Sequence, residues 1–126
     1  MSKYPNLSEA DSIIMEILWR DGERTSASIQ KEVEGKLHWS RQTVRTYLAR
    51  LMDKGLVETK EIKKRLYHYC PAVSREEYAA DKAGSVLSKY YGSVSDMVAG
   101  IVQSEHLSDE ELDDLEEMIR ELRKKQ

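Results

Sequence analysis

With 126 residues, 40% hydrophobic and 34% charged, the chain has the size of one domain with room for an appended arm, and enough apolar content to fold. Its net charge is −3, and its single cysteine, Cys70, excludes an internal disulfide and any zinc site built from several cysteines of one chain. No apolar run approaches the roughly 18 residues that cross a bilayer, and the N-terminus lacks the basic-then-apolar layout of a secretion signal, so no membrane partner and a cytoplasmic location are expected.

From Ser8 to Arg20, Ala10, Ile13, Ile14, Ile17 and Leu18 recur at spacings of three and four, which predicts an amphipathic helix capped by Ser8 and stopped by Asp21 and Gly22. A second helix follows Ser26, turns Ala27, Ile29 and Val33 inward, and ends near Gly35. The third opens at Ser40, a good N-cap, with Trp39 placed to pack on Val44. Val44, Tyr47, Leu48, Leu51 and Met52 form its apolar face, and Gly55 closes it.

Beyond Gly55 the period changes to alternation, with Leu56, Glu58 and Lys60 against Val57 and Thr59, followed by a Tyr-rich run from Leu66 to Cys70 that Pro71 ends. This predicts a hairpin. Its connection, Glu61 to Arg65, has no Asn-Gly or Gly-Gly pair, so an open and mobile loop is expected in preference to a tight turn.

Three more helices follow. Ser74 and Glu77 make a capping box, with Val73 and Tyr78 as a staple, for a helix carrying Tyr78, Ala79, Ala83, Val86, Leu87, Tyr90 and Tyr91 up to Gly92. Ser93 to about Glu105 carries Val94, Met97, Val98, Ile101 and Val102. Ser108 and Glu111 open the last helix, where Leu112, Leu115, Ile119 and Leu122 repeat at three, four, three, the seam of a helix that packs on another helix.

Three helices and then a two-stranded hairpin is the order of a winged helix-turn-helix, whose third helix enters the DNA major groove. The fold class is therefore mainly α: a winged-helix DNA-binding domain over residues 1–72, then a helical dimerisation domain over 73–126. Charge follows the same division. Residues 1–72 carry 13 Lys and Arg against 10 Asp and Glu, residues 73–126 carry 7 against 13, and Arg41 to Arg65 alone carry 8 against 3. On the third helix Gln42, Thr43, Thr46 and Arg50 lie opposite the apolar stripe, with Arg45 at its flank, and Arg41 is a further DNA-binding candidate at the helix start. These residue types suit base edges: Arg fits guanine, Gln fits adenine, and Thr offers a hydroxyl and a methyl. Lys63, Lys64 and Arg65 at the hairpin tip supply charge for phosphates. Double-stranded DNA is the expected partner.

The apolar seam of the last helix has no partner in its own chain large enough to cover it, so a homodimer is expected. Tyr78, Leu87, Tyr90, Tyr91, Met97, Ile101, Leu112, Leu115, Ile119 and Leu122 are its candidate interface. His68 and Cys70 lack a third or fourth ligand, His38 and His106 sit near helix ends, and no glycine-rich phosphate loop or Ser, His, Asp constellation occurs. No metal, cofactor or catalytic residue is expected. A winged helix that meets a protein instead of DNA is the rival class, but such a wing needs exposed apolar anchors, and this tip offers only Ile62 beside its three basic residues.

Leu7 to Leu18 with Trp19, the run Trp39, Ser40, Thr43, Val44, Arg45 and Thr46 leading to Leu51 and Lys54-Gly55-Leu56, the strand Tyr67 to Tyr69, and the closing Leu107, Ser108, Glu111 and Leu115 resemble the penicillinase repressor family. The resemblance implies a homodimeric transcriptional repressor on an inverted-repeat operator, controlling genes for β-lactam resistance or metal handling. It also implies that Gln42, Thr43, Arg45 and Thr46 read the operator, and that the segment after Ser74 dimerises. Three features depart from the family pattern. A regulatory protease that cuts an Asn-Phe bond would meet Gly100-Ile101 here, the tail lacks the cysteine cluster of copper-responsive members, and Arg41 and Gln42 replace a Pro-Lys pair.

Overall fold

The computed structural model describes residues 2–126. Their order is α1 (Glu9–Asp21), α2 (Ser26–Leu37), α3 (Arg41–Asp53), β1 (Val57–Lys63), β2 (Leu66–Pro71), α4 (Arg75–Tyr90), α5 (Val94–Ser104) and α6 (Asp109–Lys124). The expected mainly helical fold with a two-stranded wing is present, and the caps set most of its boundaries.

Ser8 and Asp11 form a reciprocal capping box at the start of α1, and Gly22, at φ 88°, donates to the Leu18 carbonyl to end it. The cap of α2 is Thr25, one residue earlier than expected. The helix also runs through Gly35 to Leu37, because an internal glycine weakens a helix by about 1 kcal/mol without forbidding it. His38, in the left-handed region at φ 54°, is what stops it. Ser40 caps α3 as expected, while Trp39 stacks on Tyr47 with ring centroids 5.0 Å apart.

The core joins Ile14, Met15, Ile17 and Leu18 of α1 to Ile29 and Val33 of α2, Val44, Leu48 and Leu51 of α3, and Leu56, Val57 and Val73 beyond. Met52 stays 40% exposed, so the apolar face of α3 is narrower at its end than its sequence indicates.

The wing departs most from expectation. β1 and β2 pair antiparallel from Val57↔Pro71 to Glu61↔Tyr67, and then Lys63↔Leu66 after a register shift. The connection is thus a tight turn at Lys64 and Arg65, not an open loop from Glu61 to Arg65. Two local adjustments permit it without glycine: Arg65 takes φ 67°, and the extra residue, Ile62, is absorbed as a bulge. Only Val57 of β1 is buried, so the alternation in sequence does not mark a buried face. Arg24 adds a one-residue third strand, exchanging two backbone hydrogen bonds with Tyr69 at 2.8 and 3.0 Å.

At α4, the Ser74 hydroxyl accepts from the Glu77 amide at 3.0 Å, but the Glu77 carboxylate accepts from the Tyr4 hydroxyl instead of returning to Ser74, so the expected capping box is half formed. Ser93 caps α5, and Ser108 and Glu111 complete a capping box on α6. The chain divides into two compact units, Met1–Ser85 and Val86–Gln126. Every residue of the buried core belongs to the first. In the second, no described residue is fully buried.

Candidate nucleic-acid interface

Burying Val44, Leu48 and Leu51 commits one side of α3 to the core and leaves the other to solvent. Gln42, Thr43, Thr46, Tyr47 and Arg50 line a shallow groove of about 280 Å³ on that outer side. Within it the Thr46 hydroxyl donates to the Gln42 carbonyl at 2.9 Å, which commits its hydrogen and leaves its oxygen able to accept. The Thr43 hydroxyl shares a 3.0 Å hydrogen bond with Ser40, the cap of the same helix. Arg50 lies over the Tyr47 ring at 5.3 Å, a contact that leaves the guanidinium edge free to donate.

Arg41 and Arg45 belong to a different surface. They line a second groove of about 370 Å³ between α3 and the wing, with Thr25, Ser26 and Ala27 at the start of α2 and with Arg65, Leu66, Tyr67 and Tyr69. The nine sequence-derived candidates therefore fall into three groups. Gln42, Thr43, Thr46 and Arg50 share the outer groove, Arg41 and Arg45 meet Arg65 in the wing groove, and Lys63 and Lys64 stand exposed at the wing tip.

Several other cations of the first unit are held in ion pairs. Arg20 and Arg24 share Asp21 and Glu32, Lys54 holds Asp11, Arg75 holds Glu16 and Lys82 is near Asp81. Among the described residues, Arg41, Arg45, Arg50, Lys63, Lys64 and Arg65 have no carboxylate within ion-pair distance. Lys60 in β1 is unpaired as well, so seven of the unpaired cations stand on α3 and the wing, against Lys3, Lys31 and Lys36 elsewhere in the first unit, and an incoming anion meets no ion-pair competitor there. Thr25, Ser26, Tyr67 and Tyr69 also line the wing groove, though the sequence alone does not single them out as site residues. Thr25 is legible as a helix cap, but its place opposite the wing depends on the pairing of Arg24 with Tyr69.

Cys70 is half-buried; burial and the nearby Glu58 and Glu23 carboxylates push its thiol pKa up, which disfavours the reactive thiolate. His68 Nδ1 stands 3.3 Å from Glu23 Oε1. No group of three or more His, Cys, Asp or Glu among the described residues is placed to hold a metal ion, and no helix is long and apolar enough to cross a membrane.

The candidate interface residues divide as well. Tyr78 is drawn into the first unit: its ring lies 5.7 Å from that of Trp19, and its hydroxyl donates to the Pro5 carbonyl at 2.9 Å. It therefore packs the head and does not contribute to an open tail face. Leu87, Tyr91 and Met97 are half-buried, whereas Tyr90 is 70% exposed. Ile101, Leu112, Leu115, Ile119 and Leu122 are 37% to 56% exposed. Tyr91 packs its ring over Gly100, where a Cβ would come within 3.2 Å of it. The Gly100-Ile101 bond lies inside α5.

Comparison with known proteins is consistent along the chain. The family model for penicillinase repressors matches residues 7–121. A penicillinase repressor of Bacillus licheniformis is 29% identical over 122 residues, covering 96% of this chain and 94% of the relative. The methicillin resistance regulatory protein MecI of Staphylococcus aureus (strain N315) is 26% identical over 119 residues, covering 94% of this chain and 96% of its own. Among solved structures, the DNA-binding domain of the repressor BlaI aligns with a TM-score of 0.53 at 28% identity, over 62% of this chain and 94% of that one. The monomeric form of Bacillus licheniformis BlaI in complex with the blaP half-operator aligns with a TM-score of 0.52 at the same identity and coverage.

Proposed function

The chain belongs to the penicillinase repressor family, and from that premise we propose that it is a transcriptional repressor that binds operator DNA as a homodimer and controls genes of β-lactam resistance. Support for the regulated genes comes from relatives that carry the names penicillinase repressor and methicillin resistance regulatory protein. The family is one of DNA-binding repressors, and this chain is accordingly a binding protein in place of an enzyme. The observation that carries the duplex as partner is the concentration of unpaired cations: Arg41, Arg45, Arg50, Lys60, Lys63, Lys64 and Arg65 on α3 and the wing lack a carboxylate partner among the described residues, while Arg20, Arg24, Lys54 and Arg75 are paired. A duplex with one charge per roughly 1.7 Å of axis answers that surface.

In this proposal residues 1–72 carry the reading surface, and the dimerising surface lies within 73–126, in Val86–Gln126 beyond the head core that Val73 and Tyr78 complete. Gln42, Thr43, Thr46 and Arg50 face base edges from the outer groove, and Lys63 and Lys64 contact the flanking backbone. The tail pairs two copies so that two heads meet two half-sites of an inverted repeat. Selection of bound fragments from the host genome tests this function directly. A shared palindromic motif upstream of resistance genes is the expected result, and recovery of fragments indistinguishable from the input overturns it.

A further inference from the structure

The groove between α3 and the wing brings three guanidiniums from two chain segments around about 370 Å³ of open space. Arg41 and Arg45 come from the first turns of α3 and Arg65 from the wing turn. None of the three has a carboxylate partner among the described residues. Like charges gathered without a counter-charge repel one another, and one bound anion relieves all three contacts at once. The planar fork of arginine matches the paired oxygens of a phosphate. The remaining walls suit such a ligand: Thr25 and Ser26 stand at the opening of α2, and Leu66, Tyr67 and Tyr69 line the wing side.

We propose that this groove clamps a single backbone phosphodiester of the bound duplex, bridging the reading helix to the wing, with Arg41 and Arg65 as the two jaws. The assignment rests on the chain being a duplex-binding repressor, and it moves Arg41 and Arg45 from base reading to backbone positioning. Base choice is then left to the outer groove, and the clamp fixes the angle at which α3 enters the DNA.

The test uses the full chain and the duplex recovered by the genomic selection, synthesised as a series with one neutral methylphosphonate linkage at each backbone position in turn. Arg41→Gln and Arg65→Asn are the variants, asparagine being chosen because it tolerates the left-handed backbone at 65. Unchanged melting temperatures establish that both remain folded. The wild-type protein is expected to lose about tenfold in affinity at one linkage per half-site, the scale of a charge-assisted hydrogen bond. Both variants should be insensitive at that same linkage while keeping wild-type sensitivity elsewhere. Insensitivity at two different linkages, retained sensitivity at every linkage, or the lack of a sensitive linkage in the wild type overturns the clamp while leaving the repressor standing. A selection that recovers no preferred duplex removes both, and it does so before any variant is made.

Discussion

Asp11 sits fully buried among the apolar residues of α1, and its carboxylate accepts from the Lys54 ammonium and the Ser8 amide. The Lys54 ammonium donates to Oδ2 at 2.8 Å, and the Ser8 amide and hydroxyl complete the capping box, while Oδ1 has no partner. Burial pushes this carboxyl up, but the hydrogen bonds from Lys54 and Ser8 outweigh it and hold the group below the usual carboxylate range. Removing Lys54 leaves the charge buried alone, so Lys54→Ala should cost about 3 kcal/mol in urea unfolding at pH 7. Asp11→Asn should lower that cost when combined with it, because the charge that Lys54 serves is gone; strictly additive losses would contradict the pairing. Neither partner was legible as such in the sequence. Asp11 reads there as a polar residue in the first turn, and the lysine that lets it be buried is 43 residues away. The solvent face of α3, where the proposed reading residues lie, was more accessible to sequence analysis, because the stripe of Val44, Leu48 and Leu51 fixes which side of the helix remains free. The assignment of Arg45 beside Arg41 needed the wing in place. Two further substitutions separate the roles on this surface. Gln42→Ala should relax choice at one base pair by about 1–3 kcal/mol, whereas Lys64→Ala should weaken binding to all duplexes alike and lower the salt slope by about one. Titrations of matched and mismatched duplexes at several salt concentrations measure both.

At the scale of elements, the start of α4 is secured by a segment that its own sequence does not announce. The Ser2 hydroxyl and the Lys3 and Tyr4 amides donate to the Asp81 carboxylate, and Lys82 donates back to Ser2 and to the Tyr4 carbonyl. The Lys3 amide is the largest influence in holding the Asp81 carboxyl at about 2, against the ordinary aspartate value near 4. A carboxyl depressed in the folded state binds its proton more readily once unfolded. Its stabilisation is therefore complete above about pH 4 and disappears as pH falls toward 2. Asp81→Asn should accordingly lower the melting temperature at pH 6 and flatten its decline between pH 4 and 2; an unchanged acid limb would remove this role for Asp81. Helices were legible because their signals are local: Ser8, Ser40, Ser93 and Ser108 each cap the helix that the sequence assigns to them. The turn of the wing was not, because it depends on an arginine adopting φ 67° and on a bulge at Ile62, neither of which has a composition signal. The bridge from Arg24 to Tyr69 escaped for a related reason, since a strand of one residue has no period to detect.

Across the whole molecule, the buried core and the open apolar surface are segregated between the two units. Val86–Gln126 holds three helical segments and no fully buried residue, yet Val94, Val98, Ile101, Val102, Leu112, Leu115, Met118, Ile119 and Leu122 are all more than a third exposed. An isolated helix in water is marginal at the length of α5 or α6, so these segments depend on the packing of their apolar faces to persist. Apolar surface on this scale marks an association site. A second copy of the same tail is the simplest occupant, because a two-fold pairing brings each seam against its own kind. The heptad spacing of Leu112, Leu115, Ile119 and Leu122 is visible in the sequence, whereas the extent of the exposed apolar surface required the coordinates. Leu115→Asp combined with Leu122→Asp places two charges per chain in that seam, where burial without partners is costly. The wild type should sediment as a dimer and the double variant as a monomer whose head still melts cooperatively, since the core built on Ile14, Leu18, Val44 and Leu48 is untouched. Operator affinity should fall with it by at least a hundredfold, because the second head then binds from solution instead of from a linked neighbour. A variant that sediments as a dimer would dismiss the seam as the interface, and a monomeric variant with undiminished affinity would dismiss the two-headed engagement of the operator.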